Sequence, residues 1–236
     1  MRPWRALVWD VDGTLAETER YGHLPAFNAA FAEAGAPFNQ WHWDEATYAD
    51  LLGVAGGKER VLHWWRRIDA SGAASPDAAA RVAALHEAKT RHYTLHVAKG
   101  AVSLRPGVEA LLRGAREAGL PQAIATTTQP DNVRALITHT LGHAAMSWFD
   151  VVGAGDVVPR KKPAPDIHHW VLDRLGVPPA EVLVIEDSAV GVAAACAAGL
   201  AVLAVRSAFS RQDDFTGAVA VVDSLQDMSL AQLLRR

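Results

Sequence analysis

Cysteine is almost missing from this chain of 236 residues. Cys196 stands alone, so no intrachain disulfide can form, and its setting in Val192-Ala193-Ala194-Ala195-Cys196-Ala197-Ala198 reads as core packing of a helix rather than a reactive thiol. An excess of positive charge is missing too. The formal net charge of −3 and pI near 6.4 leave no basic footprint for neutralising a phosphate backbone, which excludes nucleic acid as an expected partner. No apolar run is long enough to span a bilayer, since even 190–205 is rich in alanine and broken at Gly199. Met1-Arg2-Pro3-Trp4-Arg5 opens without the long apolar core of a secretory signal, and neither repeats nor a low-complexity tail are present. These absences lead to the expectation of a cytoplasmic, soluble monomer with no membrane partner. Half of the residues are apolar, enough to bury a full core and to support a small accessory domain.

Short β-type runs fall at 6–9, 122–126, 149–153, 182–185, 201–205 and 218–222, most with too little alternation for a sheet that is wet on one face. Helical patterns at 108–118, 132–141, 165–175, 190–198 and 225–234 follow the later rhythm, several of them ended by glycine. This alternation predicts an α/β fold with a doubly wound parallel sheet. Between residues 16 and 98 the rhythm changes to successive helices. That interval predicts a helical cap domain, 16–98, inserted in a core made of 1–15 and 99–236. Both connections emerge by the C-terminal end of the first strand, the edge where open parallel sheets bind ligands, and a helical lobe there would act as a lid.

Directly after the first strand stands Asp10-Val11-Asp12-Gly13-Thr14-Leu15, two carboxylates two residues apart followed by a glycine that permits a sharp turn. Further on, Ala123-Ile124-Ala125-Thr126 ends a strand in a hydroxyl, Lys162-Pro163 follows another, and Val184-Ile185-Glu186-Asp187 ends a third in an acidic pair. In this order the four segments resemble the signatures of the haloacid dehalogenase (HAD) superfamily. The wording Ala16-Glu17-Thr18-Glu19, Gly56-Gly57-Lys58-Glu59-Arg60 and Lys162-Pro163-Ala164-Pro165-Asp166-Ile167 is similar to the CbbY branch, in subfamily I with a helical cap. The resemblance covers nearly the whole chain. It implies a phosphatase acting on a small phosphorylated metabolite, a sugar phosphate or bisphosphate such as xylulose-1,5-bisphosphate. β-Phosphoglucomutases are close relatives, so a phosphoryl-transferring mutase is the alternative.

The same resemblance implies a role for each residue. Asp10 is the nucleophile that forms an aspartyl-phosphate, and Asp12 is the general acid and base. Thr126 and Lys162 are the remaining catalytic groups, offsetting charge on the phosphoryl oxygens. Metal ligands would be the Asp10 side chain, the Asp12 main-chain carbonyl and the Asp187 side chain, with Glu186 ligating or supporting. Elementary electrostatics agrees, because Asp10, Asp12, Glu186 and Asp187 at one sheet edge would repel strongly without a hard cation, and oxygen-only ligation suits Mg2+. Substrate contacts are expected from Glu17, His23, Lys58 and Thr127 together with Lys162, Lys58 reaching a distal phosphate or hydroxyl.

Several features compete with these assignments. Lys161 neighbours the assigned lysine and reads as a solvated or phosphate-steering charge. Gly56-Gly57-Lys58 is not a P-loop, because Leu52 stands where the first glycine belongs and Glu59 where Ser or Thr must bind metal. His92/His96 and His139/His143 have zinc-compatible spacing but no third ligand in an adjacent motif, and read as helix-surface positions. Trp41, Trp43, Trp64 and Trp65 read as packing, with a place at a cap–core interface as the alternative. His23 stands one residue later than the corresponding histidine of relatives, which implies an insertion in Thr18-Glu19-Arg20-Tyr21-Gly22-His23. A hydrolytic dehalogenase would need neither Asp12 nor the Glu186-Asp187 pair, and a binding protein that merely keeps the fold would lack one of the four motifs.

Overall fold

Four apolar residues in a row, all buried, make the first strand, β1 (Ala6–Trp9), and a strand sealed on both faces must sit inside a sheet. The structure, a computed structural model, describes residues 4–235. Met1-Arg2-Pro3, where no secretory leader was expected, and Arg236 lie outside them. The chain divides into two units, Met1–Glu17 with Ser103–Arg236, and Thr18–Val102. The sequence placed these joins at 15/16 and 98/99. Ala16 stays with the first unit because it bridges both Asp12 and Leu104.

In the first unit β1 is followed, after the inserted helices, by α6 (Val108–Glu117), β2 (Gln122–Ala125), α7 (Pro130–Leu141) and β3 (Val151–Gly153). Then come α8 (Asp166–Leu175), β4 (Val182–Glu186), α9 (Ala189–Ala197), β5 (Ala201–Val205), β6 (Ala220–Val222) and α10 (Leu230–Leu233). All strands pair in parallel in the order β3-β2-β1-β4-β5-β6. The order reverses around β1, so the loops that leave β1 and β4 diverge and open a crevice at their carboxyl ends. Along this axis Val8 pairs with Ala123 on one side and Val184 on the other, which sets the acidic segments after β1 and β4 side by side. Trp9, fully buried, meets a polar residue of β2: its Nε1 donates to Gln122 Oε1 at 3.2 Å, while Gln122 Nε2 donates to the Leu112 carbonyl. Cys196 is half-buried and packs against the core.

Three predicted elements come out shorter by two residues or more. Ala218 does not extend β6, because its amide is spent in a turn to the Phe215 carbonyl. The last helix begins only at Leu230: Met228 N–H closes a turn on Leu225, and Ser229 then forms a capping box with Gln232. Residues 149 and 150 precede β3, Phe149 ending a 3-10 turn.

The second unit opens on one turn of π-helix (Glu19–His23) and continues as α1 (Leu24–Glu33), α2 (Glu45–Leu51), α3 (Gly57–Ile68), α4 (Ala70–Ala73) and α5 (Ala78–Ala98). The π turn runs straight into α1, and Pro25 falls in the first turn of that helix. The expected packing role of the tryptophans fits an aromatic cluster within this unit. Phe27 and Phe31 meet the fully buried Trp43 at centroid distances of 4.9 and 4.8 Å, and Phe38 meets Trp65 at 5.0 Å. Each such pair adds about 0.5–1.5 kcal/mol beyond burial alone. Asn28 fixes the loop below, donating to the Trp43 carbonyl and accepting from its N–H. No helix of the described residues is long and apolar enough to cross a membrane.

Candidate active site

The turn after β1 is shaped around a neighbouring carboxylate. Asp10 N–H continues the ladder to the Ile185 carbonyl, and the chain then folds back so that Gly13 N–H reaches the Ala16 carbonyl at 2.8 Å. Gly13 has φ of +83°, and a Cβ there would lie 2.1 Å from Asp187 Oδ2. Only glycine lets the two acidic segments approach this closely. On the other side, a Cβ at Gly191 would lie 1.6 Å from Glu186 Oε1, so the first turn of α9 must also be bare for the Glu186 carboxylate to fit against it.

Asp10, Glu186 and Asp187 are all buried, with one ligating oxygen each within 4.8 Å of the others. Lys162, 6% exposed, enters this cluster: its Nζ donates to Asp10 Oδ1 at 2.7 Å and to Glu186 Oε1 at 2.6 Å. Glu186 Oε2 accepts from Asp187 N–H at 2.7 Å, Ser188 N–H at 3.0 Å and the Ser188 hydroxyl at 3.1 Å. Both Glu186 oxygens are therefore committed, and Asp10 and Asp187 are the carboxylates whose donor chemistry fits a cation. Asp12 contributes no carboxylate to the cluster; its expected ligand was the main-chain carbonyl. Lys161 is not a solvated charge: it donates to the Gly155 carbonyl and pairs with Asp156 at 2.7 Å, its side chain only 11% exposed.

Charge in the cluster does not balance. Burial first, then the Glu186 and Asp12 charges, push the Asp10 carboxyl well above the usual carboxylate range despite the opposing pull of Lys162. Asp187 is likewise held well above it, by burial and then by Glu186 and Asp10, against a hydrogen bond from Ser207 and the charge of Arg105. Burial alone would lower Lys162, yet Asp10 and Glu186 outweigh it and hold the ammonium above the ordinary lysine value. One lysine does not offset the burial of both aspartates and the repulsion among the carboxylates. A hard divalent cation on Asp10 and Asp187 would.

Thr126 sits at the end of β2, buried, with its N–H bonded to the Gly153 carbonyl and its Oγ1 accepting from Thr128 N–H at 3.2 Å, so its hydroxyl proton remains available to an oxyanion. Thr127, next to it, is half-buried. Glu17 pairs through Oε1 with Arg105 at 3.3 Å and accepts from Ala208 N–H at 3.4 Å through Oε2.

The other expected residues belong to the helical unit. His23, buried at the end of the π turn, stacks on Tyr93 and lies 2.7 Å from Lys89 Nζ through Nδ1; an ammonium can only donate, so Nδ1 is the acceptor. Lys58 stands in the first turn of α3, half-buried. That turn is anchored by Arg60, which donates to the Leu51 carbonyl at 3.2 Å and to the Tyr48 hydroxyl at 3.0 Å, while Tyr48 donates to Glu19 at 2.5 Å. Sequence patterning did not single out Arg60, Lys89 or Arg105. An arginine or lysine buried in a helix or after one carries no local mark of its distant partners. Of the paired histidines, His92 bonds Glu33 at 2.9 Å, and the only metal-competent group among the described residues is the Asp10 cluster.

A family model for haloacid dehalogenase-like hydrolases matches residues 4–199. The plasmid CbbY protein of Cupriavidus necator is 48% identical over 223 residues, 94% of this chain and 86% of that protein. CbbY of Rhodobacter capsulatus is 46% identical over 91% of this chain and 90% of its own length. Among solved structures, a mutant of CbbY from Rhodobacter sphaeroides in complex with xylulose-(1,5)bisphosphate superimposes with a TM-score of 0.89 at 41% identity, covering 98% of this chain and 99% of that one.

Proposed function

The chain belongs to the haloacid dehalogenase-like hydrolases, and from that premise we propose that it is a Mg2+-dependent phosphatase of small sugar phosphates, with xylulose-1,5-bisphosphate as the first candidate substrate. One observation carries the proposal. The Asp10 carboxylate, at the crevice end of the central strand, is held by Lys162 at 2.7 Å within a buried cluster that also contains Asp187 and Glu186. Likeness to CbbY proteins over nearly the whole chain supports the sugar bisphosphate as substrate class.

A carboxylate oxygen of Asp10 attacks phosphorus, the bond from phosphorus to the sugar oxygen breaks, and an aspartyl-phosphate forms. Asp12 gives its proton to the leaving alkoxide, then takes one from the water that cleaves the intermediate and releases inorganic phosphate. Lys162 and the Thr126 hydroxyl offset the charge on the transferring oxygens, Lys162 also fixing the rotamer of the nucleophile. Asp10, Asp187 and the Asp12 carbonyl would hold Mg2+, with Glu186 orienting Lys162 and the α9 terminus around it. Bound there, the cation supplies charge neutralisation and orients the phosphate. We assign substrate selection to Thr127 beside the catalytic threonine and to Lys58 and His23 of the helical unit, and Glu17 to the junction that Arg105 holds.

The test is a panel of phosphorylated sugars, including pentulose bisphosphates and hexose 1-phosphates, incubated with Mg2+ while released phosphate and remaining sugar phosphates are both measured. The expected result is one phosphate released per sugar consumed, fastest for the bisphosphate. A regioisomeric sugar phosphate formed without net phosphate release identifies a mutase instead. No turnover on any member of the panel rejects the phosphatase assignment.

A further inference from the structure

Arg105 lies outside the four motifs, in Leu104-Arg105-Pro106 where the chain returns to the first unit, and its side chain is 9% exposed. A guanidinium this buried must satisfy its donors within the protein. It does so on two loops at once. Nη1 donates to the Gly13 carbonyl in the turn after β1, and Nη2 donates to the Arg206 carbonyl in the loop after β5. Nη1 also reaches the Val205 carbonyl at 3.4 Å, and Nε pairs with Glu17 at 3.3 Å.

Each of those loops presents a hydroxyl to the same carboxylate. Thr14, next to Gly13, donates to Asp187 Oδ1 at 3.4 Å, and the buried Ser207, next to Arg206, draws the Asp187 carboxyl down against the effect of burial. Ser207 is itself fixed by Ser210, whose hydroxyl accepts from Ser207 N–H at 2.9 Å. Arg105 therefore touches neither Asp187 nor the nucleophile, yet it bonds the residue beside each hydroxyl that orients Asp187.

We propose that Arg105 is a positioning residue for Asp187, clamping the Gly13 and Arg206 carbonyls so that Thr14 and Ser207 aim the Asp187 carboxylate at the divalent cation. This rests on Asp187 being a metal ligand, as in the function proposed above. Arginine is required because the clamp needs several donors in one rigid plane; a lysine keeps the charge but offers a single nitrogen that cannot span both carbonyls and Glu17. Groups that orient metal ligands typically contribute about 10–100-fold to metal affinity.

The experiment titrates Mg2+ into the metal-free full-length protein by calorimetry for the wild type, Arg105→Lys, Ser207→Ala and the double variant, with unfolding temperatures measured in EDTA alongside. Arg105→Lys should weaken Mg2+ binding by about 10–100-fold, and the double variant should be little worse than the weaker single one, because both changes act through one contact. Should Arg105→Lys not fold, Glu17→Gln, which loosens the same guanidinium and keeps its own shape, should weaken Mg2+ in the same direction. A lower unfolding temperature with unchanged Mg2+ affinity would make Arg105 a merely structural residue and overturn the proposal, as would fully additive losses. A wild type that binds no Mg2+ defeats the metal assignment and this inference with it, whereas a binding wild type matched by its variants defeats this inference alone.

Discussion

Lys162 Nζ stands 2.7 Å from Asp10 Oδ1 and 2.6 Å from Glu186 Oε1, so a single ammonium joins the carboxylate that follows β1 to the one that ends β4. The link spans 152 residues on one side and 24 on the other. It gives the Asp10 carboxylate one fixed orientation, and it leaves Asp10 short of full charge compensation, since burial and the other carboxylates outweigh it.

Replacing Asp10 by asparagine follows from that imbalance. Asp10→Asn should abolish phosphate release on every substrate, because an amide cannot form the acyl-phosphate, while the unfolding temperature in EDTA stays level or rises as a buried carboxylate is removed. Measurable turnover in a variant preparation free of wild type would reject the covalent mechanism.

Metal and pH should be coupled through the two raised carboxylates. Asp10 and Asp187 bind a proton more tightly folded than unfolded, so without metal their contribution to stability is full below the unfolded value of about 4 and is lost as pH rises through their higher folded values. Mg2+ bound as proposed would occupy the same oxygens and displace those protons. Addition of Mg2+ to the EDTA-treated protein should therefore raise the unfolding temperature more at about pH 8 than at about pH 5, and restore activity lost to EDTA. An equal rise at both pH values would place the cation elsewhere.

His168 should make the fold acid-labile. It is 1% exposed on α8, neither ring nitrogen has a hydrogen-bond partner, and burial, then the charges of Lys162 and His169, hold it well below the usual histidine value. The sign is opposite to that of the aspartates: the stabilising contribution is present above the unfolded value of about 6.5 and is lost as pH falls through the folded one. His168→Phe keeps the ring volume and removes the proton site. Its unfolding temperature should fall less between pH 7 and pH 5 than that of the wild type; parallel curves would show that His168 does not carry the acid lability.

Lys58 should discriminate between substrates rather than act in chemistry. Lys58→Ala should lower kcat/KM for the best bisphosphate by one to two decades, the scale of a charge-assisted bond worth about 1.5–3 kcal/mol, and barely affect a small phosphate ester. Steady-state kinetics on both substrates decides it, equal losses assigning Lys58 to the fold.

Much of this was legible because it is written locally. Strands buried on both faces show as apolar runs, and Asp10-x-Asp12, Thr126, Lys162 and Glu186-Asp187 each follow or end one, so topology alone brings them to one edge. The choice of Lys162 over Lys161 is consistent with the geometry, as Lys161 turns to Asp156. What escaped depends on bonds that composition does not record. Ala218 and Leu225 are apolar enough to continue a strand or begin a helix, but turn bonds from Ala218 to Phe215 and from Met228 to Leu225 intervene. Arg105 meets partners 92 and 101 residues away, and a lone arginine before a proline looks the same whether it is solvated or clamped.

The π turn at Glu19–His23 also sets a rotational phase. Successive residues of an α-helix advance by about 100°, so the one extra residue in this turn decides which azimuth the segment before it presents relative to α1. Glu19 holds Tyr48 at the start of the turn, while His23 holds Lys89 at its end. Deleting Gly22 would restore a regular helix and swing one of those side chains about a quarter-turn away from its partner. The helices of this unit are thus keyed to one another, and a single-residue deletion that an exposed loop would absorb is here a change of gear.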